Sequence, residues 1–285
     1  MNGSLSIDHV VLVVIDLPTS TRHFEALGFT VTPGGVHAGG LTHNALIGLA
    51  DGTYLELVAA TRRPVAHLLK LIKLIGAWQL YPPTRNPMGR RFLGLIAHGP
   101  GLGDYALLSP DLENSLNEIR ARGFELESPL PGSRMRPDNQ QVSWRTAVPS
   151  TNDLPFLIED VTLQDLRLPP DTACKHANQA TGIAGITVMI ADLEHSAAGY
   201  ATLLGLEATT VVPVPSNGIR SVSFPVGKNA AITLTESSDS VVGSHQYLAS
   251  RPGRPLKIEL STAKGDLLTL FHDPIRGYSL SALTR

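Results

Sequence analysis

At 285 residues, with 42% hydrophobic and 17% charged side chains and a formal net charge of −2, the chain has the balance of a folded protein with a real core, not of a disordered tail. Its densest basic clusters are the pairs Arg62-Arg63 and Arg90-Arg91, which sets nucleic acid aside as a partner. One cysteine, Cys174, excludes an internal disulfide framework and a cysteine-rich zinc site, and fits a reducing compartment.

The opening MNGSLSIDHVVLVVIDLP holds an apolar run from Val10 to Ile15. That run is too short to span a bilayer and has no basic segment before it, so it reads as a buried strand. A cytoplasmic location with no membrane partner is the expectation.

Three segments then share one grammar of strand, Asp-Leu, helix, and glycine followed by an apolar residue. They begin at Ile7 to Leu17, Gly103 to Leu112 and Ile183 to Leu193, and their helices end at Gly28-Phe29, Gly123-Phe124 and Gly205-Leu206. In each, an aspartate near the helix start accepts from free backbone N–H groups, and glycine provides the left-handed exit. Short β-like runs follow: FTVTP, HNALIGL and TYLELVAA in the first; FELES, QVSWRTAV and LPFLIED in the second; ATTVVPV, RSVSFPV and AAITLTE in the third. The repeated unit is therefore βαβββ, and the fold class is α+β. Residues 1–167 hold two modules, at about 5–60 and 102–162. A linker over 168–180 leads to a divergent third module with extra C-terminal strands over 181–285.

Between the first two modules, Arg63 to Tyr81 places Leu68, Leu69, Leu71, Ile72, Leu74 and Ile75 at helical spacing. A helix covering a sheet is the commoner use of this pattern than one lying on a membrane surface.

Alternation along the first strand groups His9 with Val11 and Val13, and along TYLELVA it groups Glu56 with Tyr54 and Val58. A carboxylate between two leucines on so apolar a strand costs several kcal/mol to bury without a partner. Three readings satisfy it: a wet sheet face, a His-Glu hydrogen bond in a polar pocket, or a divalent metal.

The opening IDHVVLVV…DL, the strand Gly52-Thr-Tyr-Leu-Glu-Leu57, and the intervening Thr32-Pro-Gly-Gly35, His37 and Asn44 resemble the glyoxalase-like domain group of the vicinal-oxygen-chelate superfamily. The resemblance continues through Arg134-Met-Arg-Pro-Asp138, Trp144, Leu154-Pro-Phe156 and His176-Ala-Asn178. It implies paired modules forming cup-shaped mixed sheets with helices outside, and one divalent metal in the cup (zinc, nickel, manganese or iron(II)). A first-strand His and a last-strand Glu hold that metal, and His9 and Glu56 match those positions. The second module has Asp104 or Tyr105 and the third has Gly185 where the first has His9, and the third has Thr233 near the position of Glu56. A further ligand is therefore sought at His37 or His176, with His43 behind them.

Arg134 and Arg136, in a loop-like stretch, are either a clamp for a substrate carboxylate or phosphate or two solvated arginines. Tyr54 and Trp144 supply a pocket wall or ordinary core. The leading expectation is a metal-dependent enzyme acting on a small oxygen-rich metabolite, an isomerase or lyase in which Glu56 moves a proton. Iron(II) with two histidines and Glu56 would instead allow ring-cleaving dioxygenation. The alternatives are a metal-free small-molecule binding protein and a scaffold. A homodimer is the expected assembly.

Overall fold

The computed structural model describes residues 5–77, 84, 86–151, 153–206, 211–214, 219–237, 253–272 and 279–283. The first module comprises β1 (Ser6–Val13), α1 (Leu17–Ala26), β2 (Thr32–His37), β3 (Thr42–Gly48) and β4 (Tyr54–Ala60). Helices α2 (Arg63–Leu74) and α3 (Pro87–His98) lead to the second: β5 (Gly101–Leu108), α4 (Leu112–Ala121), β6 (Leu130–Met135), β7 (Gln141–Ala147) and β8 (Phe156–Asp160). The short helix α5 (Gln164–Arg167) and a 3-10 turn precede the third: β9 (Ala180–Met189), α6 (Leu193–Leu204), β10 (Val211–Val214), β11 (Ile219–Val226) and β12 (Ala230–Ser237). Strands β13 (Pro255–Thr262), β14 (Leu267–Phe271) and β15 (Ser279–Leu283) follow.

The three repeated aspartates are N-caps: Asp16, Asp111 and Asp192 accept from the backbone N–H of Thr19, Asn114 and His195 at 2.9, 3.0 and 2.9 Å. Each cap satisfies donors that the first helical turn leaves unpaired. The first two modules form a mixed sheet curled into a closed eight-stranded barrel, ordered β1-β4-β3-β2-β6-β7-β8-β5. The third joins the last three strands in a seven-stranded sheet, β10-β11-β12-β9-β13-β14-β15. In that sheet β13 pairs antiparallel with β9 as β5 pairs with β1, so the tail supplies half of the missing fourth module.

The outer face of the barrel and the second sheet share one core. Val10, Leu12, Leu55 and Leu57 pack there with Phe24 of α1, Leu112 and Leu116 of α4, and Leu193 and Tyr200 of α6. Full burial of one such aliphatic side chain contributes about 1.5–3 kcal/mol. The inner face holds Val11, Val13 and Val58, which pack on Leu69 of α2 and on Leu93 and Ile96 of α3. The insert thus covers a sheet, but from the inside, whereas α1, α4 and α6 lie outside. Among the described residues no helix is long and apolar enough to cross a membrane.

Three details differ from the sequence reading. The helix expected over 63–81 ends at Leu74, and 78–81 lie outside the described residues. The second module's first antiparallel strand is not FELES, which makes only the isolated bridge Leu126 to Pro149; it is β6, so Arg134 sits on a strand and not in a loop. Finally, the pairing of β1 with β5 skips Asp8, Ile7 facing Leu107 and His9 facing Ala106. This bulge breaks the alternation: Ile7 turns to the outer core with Val10, and Asp8 comes to lie beside His9.

The barrel closes through only two register pairs of β2 and β6, Val36 with Met135 and His37 with Arg134. At this seam Gly35 has φ +146°, and a Cβ there would lie 2.0 Å from the Met135 carbonyl oxygen. Gly35→Ala should therefore lower the unfolding free energy by about 1–3 kcal/mol. Urea titration measures this, and an unchanged midpoint would contradict the seam's role.

Candidate functional site

His9 projects from β1 and Glu56 from β4 into the barrel, and β2 and β3 bring in His37 and Asn44. His9 Nε2 lies 3.5 Å from Glu56 Oε2, and His37 Nε2 lies 3.3 Å from Glu56 Oε1. Each ring is held through its other nitrogen. His9 Nδ1 is 2.6 Å from Asp8 Oδ2, and His37 Nδ1 is 2.8 Å from the Thr42 hydroxyl. Asn44 Nδ2 donates to Glu56 Oε1 at 2.6 Å and stands 3.3 Å from His37 Nε2. A metal on either Nε2 would leave that ring's proton on Nδ1, where Asp8 and the Thr42 hydroxyl can accept it. A lone-pair nitrogen facing a carboxylate oxygen needs a proton or a metal cation between them. Burial would raise the Glu56 carboxyl, but the His37 hydrogen bond and charge, followed by His9 and Asn44, hold it down at about 2.

His9 is fixed by a second layer. Its ring stacks on Tyr54 with centroids 4.6 Å apart and planes at 19°. Arg167, at the end of α5 and 1% exposed, grips both oxygens of Asp8 at 2.8 and 2.9 Å. It also donates to Asp160 at 2.5 Å and to the Tyr54 hydroxyl at 2.6 Å. Burial pushes the Asp8 carboxyl up, but the Arg167 charge and the His9 contacts outweigh it and hold it well below the usual carboxylate range. Asp8 stays ionised and orients the imidazole.

These groups lie at the floor of a cavity of about 330 Å³ whose walls include Tyr54, Phe92, Trp144 and Phe156. Arg134 reaches it from β6. Its guanidinium donates to the Arg167 carbonyl at 2.5 Å, its Nε is buried without a hydrogen-bond partner, and no carboxylate among the described residues pairs with it. Burial accordingly pulls its pKa below the usual arginine range. A buried cation without a counterion suits an anionic group on a bound molecule.

The donor types fit a divalent metal: two imidazole Nε2 atoms and a carboxylate, each steadied from behind by a hydrogen bond. Glu56 turns one oxygen to each ring, and among the described residues no group of three or more His, Cys, Asp or Glu side chains is arranged to hold a metal ion. The other modules add no ligand. Strand register sets Asp104 and Phe156 of the second module, and Gly185 and Thr233 of the third, at the positions of His9 and Glu56. Asp104 is taken up by Arg91 and Arg254.

Residues 7–204, more than half of the chain, match the family model of a glyoxalase-like domain. Among solved structures, a hypothetical protein from Staphylococcus aureus is similar at TM-score 0.61 and 14% identity, over 82% of this chain and 87% of that one. A triple mutant of 4-hydroxymandelate synthase from Streptomyces coelicolor is similar at TM-score 0.56 and 17% identity, over 88% and 68%. At such identities the likeness is one of fold. No curated protein sequence matches the chain.

Of the residues singled out from sequence, His9, Glu56, His37, Tyr54, Arg134 and Trp144 line the cavity. Arg136 does not: just past β6 it pairs with Asp138 at 2.9 Å and donates to the Leu166 carbonyl. Nor does His176, which serves as a clamp on the outside of the first module. Its Nδ1 accepts from the Thr30 N–H at 3.0 Å, and its Nε2 donates to the Gly48 carbonyl at 2.8 Å. Sequence reasoning missed Asp8, Asn44 as a Glu56 partner, and Arg167.

Only neutral His176 can make both of its bonds. Burial lowers its pKa, with the Gly48 bond opposing, so the folded chain binds this proton less readily than the unfolded chain. The clamp's stabilisation is complete above the ordinary histidine value near ~6.5 and declines as pH falls below it. The stability gap between wild type and His176→Gln, followed by urea denaturation from pH 8 to 5, should narrow on acidification; a gap that widens would exclude the neutral clamp.

Proposed function

The chain belongs to the glyoxalase-like domain family, with the vicinal-oxygen-chelate fold, and on that premise we propose that its barrel cavity is the active site of a metal-dependent enzyme acting on a small, oxygen-rich anion. The observation that carries the reading is the His9–Glu56–His37 row, with both Nδ1 atoms engaged and both Nε2 atoms turned to one buried carboxylate. His9, His37 and Glu56 would hold the metal. Bound there, it would supply Lewis-acid stabilisation to an oxyanion that develops on the substrate.

The chain's own groups divide the remaining work. Arg134 binds the substrate's carboxylate or phosphate. Tyr54, Phe156 and Trp144 exclude water and orient the molecule over Glu56. A carboxylate held at about 2 stays ionised, as a ligand must, but it is a weak base near neutrality. Glu56 therefore moves a proton only where that proton is already acidified by a neighbouring carbonyl, which favours isomerase or lyase chemistry. A two-histidine, one-carboxylate set with iron(II) would instead admit dioxygenase chemistry, and the identity of the metal separates the two.

Protein purified without chelator should carry close to one divalent metal per chain by elemental analysis. His9→Ala and Glu56→Gln should each lose it, while His176→Ala keeps it. Stoichiometric metal in both site variants would contradict the ligand assignment. A wild type that neither carries nor takes up metal would leave the cavity a metal-free binding site.

A further inference from the structure

Helix α3 is a wall between two cavities. Met88, Phe92 and Leu93 face the barrel cavity, whereas Arg90, Arg91 and His98 line a second cavity of about 460 Å³ on its other side. The two sets are separated as the 3.6-residue helical period requires. Lys73 of α2 and Arg254, which precedes β13, complete the second cavity, and Glu127 is the one carboxylate in its described lining. Four cationic side chains and one carboxylate thus meet in the described lining, where Lys73 Nζ already donates to His98 Nδ1 at 2.7 Å.

The nearest buried acid cannot redress this. Asp104 accepts from Arg91 Nε and Nη2 at 2.5 and 2.7 Å, from Arg254 Nη1 at 2.8 Å and from the Tyr105 N–H at 2.9 Å. Its lone pairs are shared between two guanidiniums. The Arg91 side chain is 2% exposed, yet its Nη1 has no hydrogen-bond partner. Burying cationic forks with a donor left over is costly unless an anion completes them. Exposed Arg90 stands on the same helix and lines the same cavity.

We propose that this second cavity is a binding site for a phosphoryl anion, independent of the barrel site and of the activity assigned to it. A dianionic phosphoryl group offers the charge and the oxygens that the spare Arg91 Nη1, the Arg90 guanidinium and Lys73 match, whereas a monocarboxylate has fewer oxygens and half the charge. The volume admits a phosphorylated small molecule as well as the inorganic ion. Occupancy would be felt in the barrel cavity, because Arg91 also lies over the Phe156 ring at 5.9 Å and Phe156 lines that cavity.

The test is titration of the full-length protein with inorganic phosphate, by calorimetry and thermal shift, with sodium chloride matching the ionic strength. Wild type should show saturable binding. Arg90→Gln should weaken it at least fivefold, and Arg90→Gln with Lys73→Gln more than tenfold, each with an unchanged far-ultraviolet circular dichroism spectrum. Arg134→Gln and Glu56→Gln should keep the phosphate binding that Arg90→Gln weakens, whatever the barrel site itself takes up. No saturable binding in wild type overturns the proposal. So does wild-type affinity in the Arg90/Lys73 double variant, or loss of binding in Arg134→Gln, which would put the anion in the barrel.

Discussion

Arg167 joins three strands of the barrel through one planar group: it grips Asp8 on β1, reaches the Tyr54 hydroxyl on β4 and holds Asp160 at the end of β8. Three of its partners' oxygens belong to the machinery that fixes His9, whose Nδ1 rests on Asp8 and whose ring rests on Tyr54. A guanidinium suits this post because its fork can serve two carboxylates at once, and its charge keeps Asp8 ionised against the push of burial. Its carbonyl then receives Arg134, so the same residue that orients the imidazole also orients the cation that lines the cavity. Truncating Arg167 would strand the buried Asp8 carboxylate, and losing one partner of such a pair typically costs about 3–5 kcal/mol.

The repeat architecture explains where the buried polar cluster is and is not. Three copies of one supersecondary unit bury a common core through their outer faces, and this demands only apolar residues at alternate positions. The inner faces are free to diverge. In the first module that face keeps His9 and Glu56; in the second it becomes Asp104, neutralised by arginines, and Phe156, a pocket wall; in the third it becomes Gly185 and Thr233. The seam between β2 and β6 brings the two halves of the barrel site together, pairing His37 with Arg134.

Much of this was legible in the sequence because it is periodic. Apolar alternation, Asp-Leu caps and glycine exits located three helices and most strands, and the strand positions of His9 and Glu56 follow from local pattern alone. The failures share a cause: they depend on departures from periodicity or on contacts distant in sequence. Asp8 beside His9 requires a β-bulge, which strict alternation forbids. Strand β6 runs through Pro131 and Gly132, residues that read as a turn, and it persists because β7 pairs along its whole length. Helix α3 has a readable start in Asn86-Pro87, an N-cap followed by a first-turn proline, but lies outside the repeated strand-helix grammar. Nothing local marked Arg167 as the partner of Asp8, 159 residues away, and the resemblance that pointed to His176 carried no sign of its bond to the Gly48 carbonyl, 128 residues away.

The Arg167–Asp8 pair holds His9 with Nδ1 on Asp8 and Nε2 directed at Glu56, so that a metal bound at Nε2 would leave the ring proton on Nδ1. Nitrogen-15 NMR of histidine-labelled, zinc-loaded protein at neutral pH, with His9 assigned by His9→Gln, reads this tautomer directly. The account predicts a protonated, strongly hydrogen-bonded Nδ1 and an unprotonated Nε2. A doubly protonated His9, or a proton on Nε2 alone, would contradict it.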